Sequence, residues 1–116
     1  MLQAEIEQHV AAGAAADRDA VRASFAKLRE ALSAGAVRSA EPDAASPGGW
    51  RVNAWVKQGI LLGFRFGDVV DASMDHGKWP FYDKDTLPLR KPGLAAGVRL
   101  VPGGSAVRDG AYIGPG

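Results

Sequence analysis

Asn53 to Phe66 reads NAWVKQGILLGFRF and is the most apolar run of the chain. Asn53 suits a helix N-cap, and the spacing predicts a helix over roughly 54–66. Trp55, Val56, Ile60, Leu61, Leu62, Phe64 and Phe66 nearly encircle that helix, with Lys57, Gln58 and Arg65 as the polar exceptions. A helix apolar on most faces is normally buried on most faces. In so small a chain, that predicts burial against another domain or subunit as well as against its own core.

Toward the amino terminus the pattern is helical. Leu2, Ile6, Val10 and Gly13 recur at helical spacing, with Glu5, Glu7 and Gln8 on the other face. Asp17 or Asp19 can cap a second helix. Its apolar stripe is Val21, Phe25, Leu28 and Leu32, and Arg22, Lys27, Arg29 and Glu30 form its expected solvated face. Gly35 is placed to end it in the left-handed conformation. Residues 37–40 and 50–52 read as two short strands around the turn-rich loop Pro42 to Gly49.

Toward the carboxy terminus, Val69 and Val70 suit a short extended piece. Residues 71–97 carry Gly77, Pro80, Pro88, Pro92, Gly93 and Gly97 without a clean period, and are expected to be irregular. Trp79, Phe81 and Tyr82 would anchor them. A stretch this long without structure is unusual in a compact domain. It makes more sense lying across a larger body.

The last sixteen residues, Val101 to Gly116, read VPGGSAVRDGAYIGPG. Val101, Val107 and Ile113 recur every six residues, with the small residues Ser105 and Ala111 four after the first two. A hexapeptide period is the repeat of a parallel β-helix, where the aliphatic points inward and the small residue turns a corner. Accidental spacing in a Gly/Pro-rich tail is the other reading of three matches.

Length and composition set bounds. One hundred and sixteen residues suffice for one modest domain. Fourteen basic against thirteen acidic side chains leave a net charge of +1, which disfavours a nucleic-acid partner. Without cysteine there is no disulfide, thiolate metal site or thiol nucleophile. The longest strongly apolar stretch, 59–64, falls far short of the ~20 residues of a membrane span. Met1 to Val10 lacks the basic and apolar regions of a secretion signal. A soluble cytoplasmic protein is expected.

Several blocks occur in order: 35–38 (GAVR), 50–65 (WRVNAWVKQGILLGFR), 81–84 (FYDK), 97–102 (GVRLVP) and 106–113 (AVRDGAYI). Together they resemble the amino-terminal part of the tetrahydrodipicolinate N-succinyltransferase family. The resemblance implies a mainly α amino-terminal domain with short strands over 1–97. Residues 98–116 would then begin a left-handed parallel β-helix and supply only its first, incomplete coil. It implies a homotrimer of longer chains with active sites between neighbouring β-helices. The implied reaction transfers succinyl from succinyl-CoA, a co-substrate, to ring-opened tetrahydrodipicolinate in lysine and diaminopimelate biosynthesis. No bound cofactor or metal is implied. The family's substrate-binding arginine falls on Arg99. Its acidic catalytic residue lies in the β-helix and has no counterpart here, so no catalytic residue is expected in this chain. The chain is accordingly expected to be a truncated part of such an enzyme, inactive alone.

The remaining polar candidates read as structural. His9 and His76 lack recognisable partners, and two isolated histidines make no metal site. Ser105 needs only to be small. Asp83, Lys84 and Asp85 read as a solvated cluster, and Trp50, Trp55 and Trp79 as core or interface anchors. The competing functional class is a non-catalytic interaction module docking through the apolar 55–66 helix.

Overall fold

The computed structural model describes all residues from Met1 to Gly116. Three helices form the body: α1 (Leu2–Ala12), α2 (Arg18–Ser33) and α3 (Ala54–Arg65), each packed on the other two. Asp17 caps α2 by accepting from the Ala20 N–H at 2.9 Å. Gly35, at φ 74°, closes α2. Its N–H donates to Leu32 O and the Ala36 N–H to Ala31 O, the paired bonds of a Schellman ending.

The core is Ile6, Val21, Phe25, Leu28, Val56, Leu62 and Leu87. The α2 stripe is inward as expected, with Leu32 half-buried. Within this chain α3 is fully buried along one face, with Trp55, Ile60 and Phe64 partly buried beside it. Its buried positions are Val56, Gly59, Leu62 and Gly63, a single face, while Leu61 is 55% exposed. The inward stripe is built half from glycine, which a count of large apolar residues overlooks. A Cβ on Gly59 would lie 2.5 Å from Leu28 Cδ2, and one on Gly63 2.5 Å from Phe25 Cε2. The two glycines are the hollows into which those side chains fit. No helix is long and apolar enough to cross a membrane.

Two small antiparallel hairpins decorate this body. Strand β1 (Ala40–Pro42) pairs with β2 (Trp50–Val52), in register Ala40 with Val52 and Pro42 with Trp50. The first strand therefore starts where the expected 37–40 strand ends. Asn53 sits at the N-cap of α3, but its side chain makes no cap bond. Its Nδ2 instead donates to Arg38 O at 2.8 Å and Glu41 Oε2 at 3.3 Å, tying α3 to the hairpin.

The segment 71–97 is not wholly irregular. Strand β3 (Val69–Asp71) pairs with β4 (Tyr82–Lys84), and a Met74–Trp79 bridge continues the same register. Asp75 and His76 both have positive φ, at 50° and 55°, as a hairpin turn of the primed type requires. Asp and His are among the non-glycine residues that tolerate this region. Alternate residues share a face, so Val70, Ala72 and Met74 lie with Trp79 and Phe81. The Trp79 and Phe81 rings meet edge to face, 6.4 Å apart, and both stay more than 40% exposed. Trp50 is 53% exposed, so neither it nor Trp79 belongs to the core, whereas Trp55 packs half-buried against it.

Residues 98–116 form no strand, and no coil of a β-helix is present. Of the three hexad aliphatics, Val107 is buried, Val101 is 71% exposed and Ile113 44%. A hexad hides its aliphatic only against stacked neighbours, and these sixteen residues supply too few. The segment is instead held by a bridge between Leu89 and Arg108.

Ion pairs fasten this second half to α2. Arg18, Arg22 and Arg29 line one edge of that helix's buried face. Arg18 pairs with Asp68 at 2.5 Å, and Arg22 makes two bonds to Asp85 at 3.0 and 2.8 Å while also donating to Phe66 O. Arg29 donates to Asp109 at 3.1 Å and to Thr86 O at 2.8 Å, and Ser33 donates to the other Asp109 oxygen. Arg108 bonds both oxygens of Asp83 and lies over the Phe64 ring. The expected solvated face of α2 is thus partly a clamp. The 83–85 cluster is not free either, since Lys84 donates to Gly67 O at 3.1 Å.

Gly63→Ala should destabilise the fold. Overpacking costs about 1–3 kcal/mol, while removing a helical glycine returns at most about 1 kcal/mol. Gly59→Ala should cost less, because the end of Leu28 can rotate away and the ring of Phe25 cannot. Urea denaturation of both variants checks this, and a Gly63→Ala protein as stable as the parent would contradict it. The Arg22 guanidinium, with help from the Asp68 N–H, holds Asp85 at about 2 against an ordinary 3.8. Such a depressed carboxylate contributes stability that is fully present above pH 3.8 and is lost as pH falls toward about 2. In Arg22→Ala, the Asp85 carboxyl resonance should titrate at higher pH, moving toward the ordinary carboxylate range. An unchanged midpoint would remove Arg22 as the cause.

Candidate functional site

Arg99 is the site residue singled out from sequence. It follows the short 3-10 turn Leu94–Ala96 and Gly97, whose φ of 68° is left-handed. Arg99 is exposed and joins none of the ion pairs. Its neighbour Val98 turns into a cavity of about 180 Å³ between residues 90–98 and 107–115, and Arg99 does not line that cavity. A free guanidinium at the surface can accept a carboxylate through two parallel hydrogen bonds. No acid, base or nucleophile is bonded to Arg99, so what it can do alone is bind.

The structure also assembles a cluster that the sequence reading missed. His9 Nε2 lies 3.1 Å from Ser24 Oγ, which donates to Glu5 Oε2 at 3.0 Å. Lys27 Nζ reaches both Glu5 oxygens, at 3.3 and 3.2 Å. A serine, a histidine and a glutamate in contact invite comparison with a hydrolytic triad, but the proton order is wrong. The Ser24 hydroxyl hydrogen goes to Glu5, so His9 is the donor to Ser24 and cannot be its base. Ser24 is also only 5% exposed. Lys27, and after it Ser24, lower the Glu5 pKa, as expected for a structural tie between α1 and α2. Glu5 and His9 are one turn apart on α1, and Ser24 and Lys27 one turn apart on α2. Only the packing of the two helices brings the pairs together.

His76 occupies the tip of the second hairpin and is exposed. Ser105 is exposed and follows two glycines of positive φ, Gly103 and Gly104, without strand structure around it. Asp83 is drawn below the usual carboxylate range by Arg108 first and by the Lys84 N–H second, so it stays a charged structural partner.

Comparison with known proteins is specific. Residues 1–66, which span the three helices and the first hairpin, match the family described as Tetrahydrodipicolinate N-succinyltransferase N-terminal. A 2,3,4,5-tetrahydropyridine-2,6-dicarboxylate N-succinyltransferase of Xylella fastidiosa is 42% identical over 106 residues, covering 83% of this chain and 34% of the relative. The protein of the same name from Methylococcus capsulatus is 43% identical over 100 residues, covering 83% and 35%. That of Granulibacter bethesdensis is 41% identical over 105 residues, covering 85% and 34%. The chain thus spans about a third of the length of the curated relatives it matches. The glycine-stepped α3 and the helices it packs against lie within the matched region, and on these matches the chain belongs to the tetrahydrodipicolinate N-succinyltransferase amino-terminal family.

Proposed function

We propose that this chain is the amino-terminal part of an acyltransferase that moves succinyl from succinyl-CoA to the amino group of ring-opened tetrahydrodipicolinate. The supporting observation is the run of about 42% identity to relatives whose name states an N-succinyltransferase acting on this dicarboxylate. On this reading the protein works in the cytoplasm, in lysine and diaminopimelate synthesis. Residues 1–97 are its helical domain, and 98–116 begin a left-handed β-helix whose further coils complete a homotrimer. It binds no cofactor, and succinyl-CoA is a co-substrate.

The chemistry asked of Arg99 is modest. In the proposed reaction the acceptor amine nitrogen attacks the thioester carbonyl carbon, and a C–N bond forms. The C–S bond breaks, CoA leaves as the thiolate, and the amine's surplus proton passes to a base. Arg99 would hold one substrate carboxylate so that the amine meets the thioester in reacting geometry. The base and the CoA groove belong to the β-helix on this reading, so the 116 residues alone do not turn over substrate.

A second reading has one observation in its favour. Leu61 stands 55% exposed beside a shallow groove shared with Val10, Gln58 and Arg65. A non-catalytic module could dock another chain there through the 55–66 helix.

Succinyl-CoA assays separate the two. The purified chain should release no CoA in response to the cyclic dicarboxylate. The same chain continued by the remaining two thirds of the Xylella fastidiosa relative should release it. A folded chimera without acceptor-dependent release would sink the enzymatic reading, and release by the short chain would overturn its inactivity. In the active chimera, Arg99→Ala should lower kcat/KM by roughly 1.5–3 kcal/mol, the scale of a charge-assisted hydrogen bond. Unchanged kinetics would remove Arg99 from the site. The docking reading predicts instead that the short chain binds a full-length relative and that Leu61→Glu abolishes the binding.

A further inference from the structure

The arginines of this chain divide in a telling way. Arg18, Arg22, Arg29, Arg51 and Arg108 each pair with a carboxylate. Arg38, Arg65 and Arg99 do not, and are exposed to water. Arg90 alone is half-buried and without an acid. Its one side-chain bond runs from Nη1 to Ala111 O at 2.7 Å. A guanidinium with no counter-charge keeps donors free, and its planar fork matches a carboxylate.

The backbone holds Arg90 in place. Its N–H donates to Val107 O and the Asp109 N–H to Pro88 O, both at 2.8 Å, so residues 88–90 run against 107–109. At the far side the Gly116 N–H donates to Gly97 O at 3.0 Å and closes the loop of chain. Between these ties lies the cavity of about 180 Å³. Arg90 is the only charged residue lining it; Ala96, Val98, Val107 and Ile113 supply apolar wall, and Tyr112 stands at its edge.

We propose that this cavity binds a small alkyl carboxylate, with Arg90 holding the carboxylate and the apolar wall the alkyl chain. One guanidinium supplies the fork that a singly charged carboxylate needs. A phosphate would call for further donors, and no second cation lines the cavity. The volume is below the ~300–1,000 Å³ of drug-sized sites and suits a ligand of about six to nine non-hydrogen atoms. The proposal concerns this cavity in the 116-residue chain and takes nothing from the succinyl-transfer reading, on which Val107 and Ile113 would instead face the interior of a continued β-helix.

The test is a titration of the 116-residue chain with propanoate, butanoate, pentanoate and hexanoate at fixed ionic strength. Hexanamide is the uncharged control, and the amide resonances of Arg90, Val98 and Ala111 are followed. Saturable shifts are expected, with affinity rising about two- to fourfold for each methylene. Arg90→Gln should weaken hexanoate roughly tenfold or more. Because Arg90 also holds Ala111 O, a second variant is needed that leaves the guanidinium alone. Ala96→Leu fills the cavity and should abolish hexanoate binding while the remaining amide spectrum is preserved. Absence of saturable shifts, affinity indifferent to chain length, equal binding of hexanamide, or undiminished binding by Ala96→Leu would each overturn the proposal.

Discussion

The contact of α3 with α1 and α2 through Gly59 and Gly63 is the constraint from which the rest of the structure hangs. Leu28 and Ile6 close on the first glycine and the Phe25 ring on the second. A side chain at either position would hold the helices apart by about the width of a methyl group, which interiors packed like crystals do not absorb freely. Gly63 also lies in the last turn of α3, where carbonyls lack intrahelical partners and stay open to the next segment. Thr86 Oγ1 donates to it at 2.7 Å, and a Cβ on Gly67 would collide with that hydroxyl. Thr86 and Leu87 are thereby drawn under the end of α3, and Leu87 joins the helical core. One small-residue stripe therefore positions three helices and the entry to the second half of the chain.

Beyond Leu87 burial gives way to charge. Only Val107 is buried after that point. The carboxylates of Asp68, Asp85 and Asp109 meet the arginine edge of α2, which acts as a rail for a segment with little core of its own. These pairs are not equivalent. Arg18 and Asp68 are about half exposed, where an ion pair contributes ~0–1 kcal/mol. Arg22–Asp85 and Arg29–Asp109 keep only about a quarter of their side-chain surface, and each arginine also satisfies a backbone carbonyl. Their greater worth lies in direction. A planar fork bonded to a carboxylate and a carbonyl at once fixes orientation, which apolar contact does not.

The helices were legible because their signals are local. The α2 stripe, the Asp17 cap and the Gly35 ending are each spelled by residues a few positions apart, and each is seen as read. What was not legible depends on distant partners. The glycine half of the inward face of α3 escaped notice, because glycine scores as neither apolar nor polar. The second hairpin was hidden by Pro80 and by a turn of Asp75 and His76, where Asn-Gly is the stronger signal. Arg22, Lys27 and Arg29 looked solvated because their partners lie 22 to 80 residues away. Arg99 was reached through resemblance alone; nothing in its own spacing distinguishes it from Arg90, which likewise pairs with no acid but is partly buried and bonded to Ala111 O in the folded chain.

The shape of the molecule follows from this division of forces. Its radius of gyration is 16.3 Å, where a compact domain of this length would have about 13 Å. The excess is not spread evenly. The helical half has helices packed on both sides of a shared core, whereas the β3–β4 hairpin pairs only with itself and keeps Val70, Met74, Trp79 and Phe81 in partial contact with water. Two strands rarely hold a fold by themselves, so this hairpin depends on its base. There Asp85 bonds both Arg22 and the Asp68 N–H, joining the two ends of the hairpin to α2 at one carboxylate. The hexad segment obeys the same rule. Val107 is covered because its neighbours Arg108 and Asp109 are tied to Leu89, Pro88 and α2, while Val101 and Ile113, one period away on either side, have no such ties and remain exposed. Six-residue spacing makes burial possible, but burial is realised only where something lies alongside to receive the side chain.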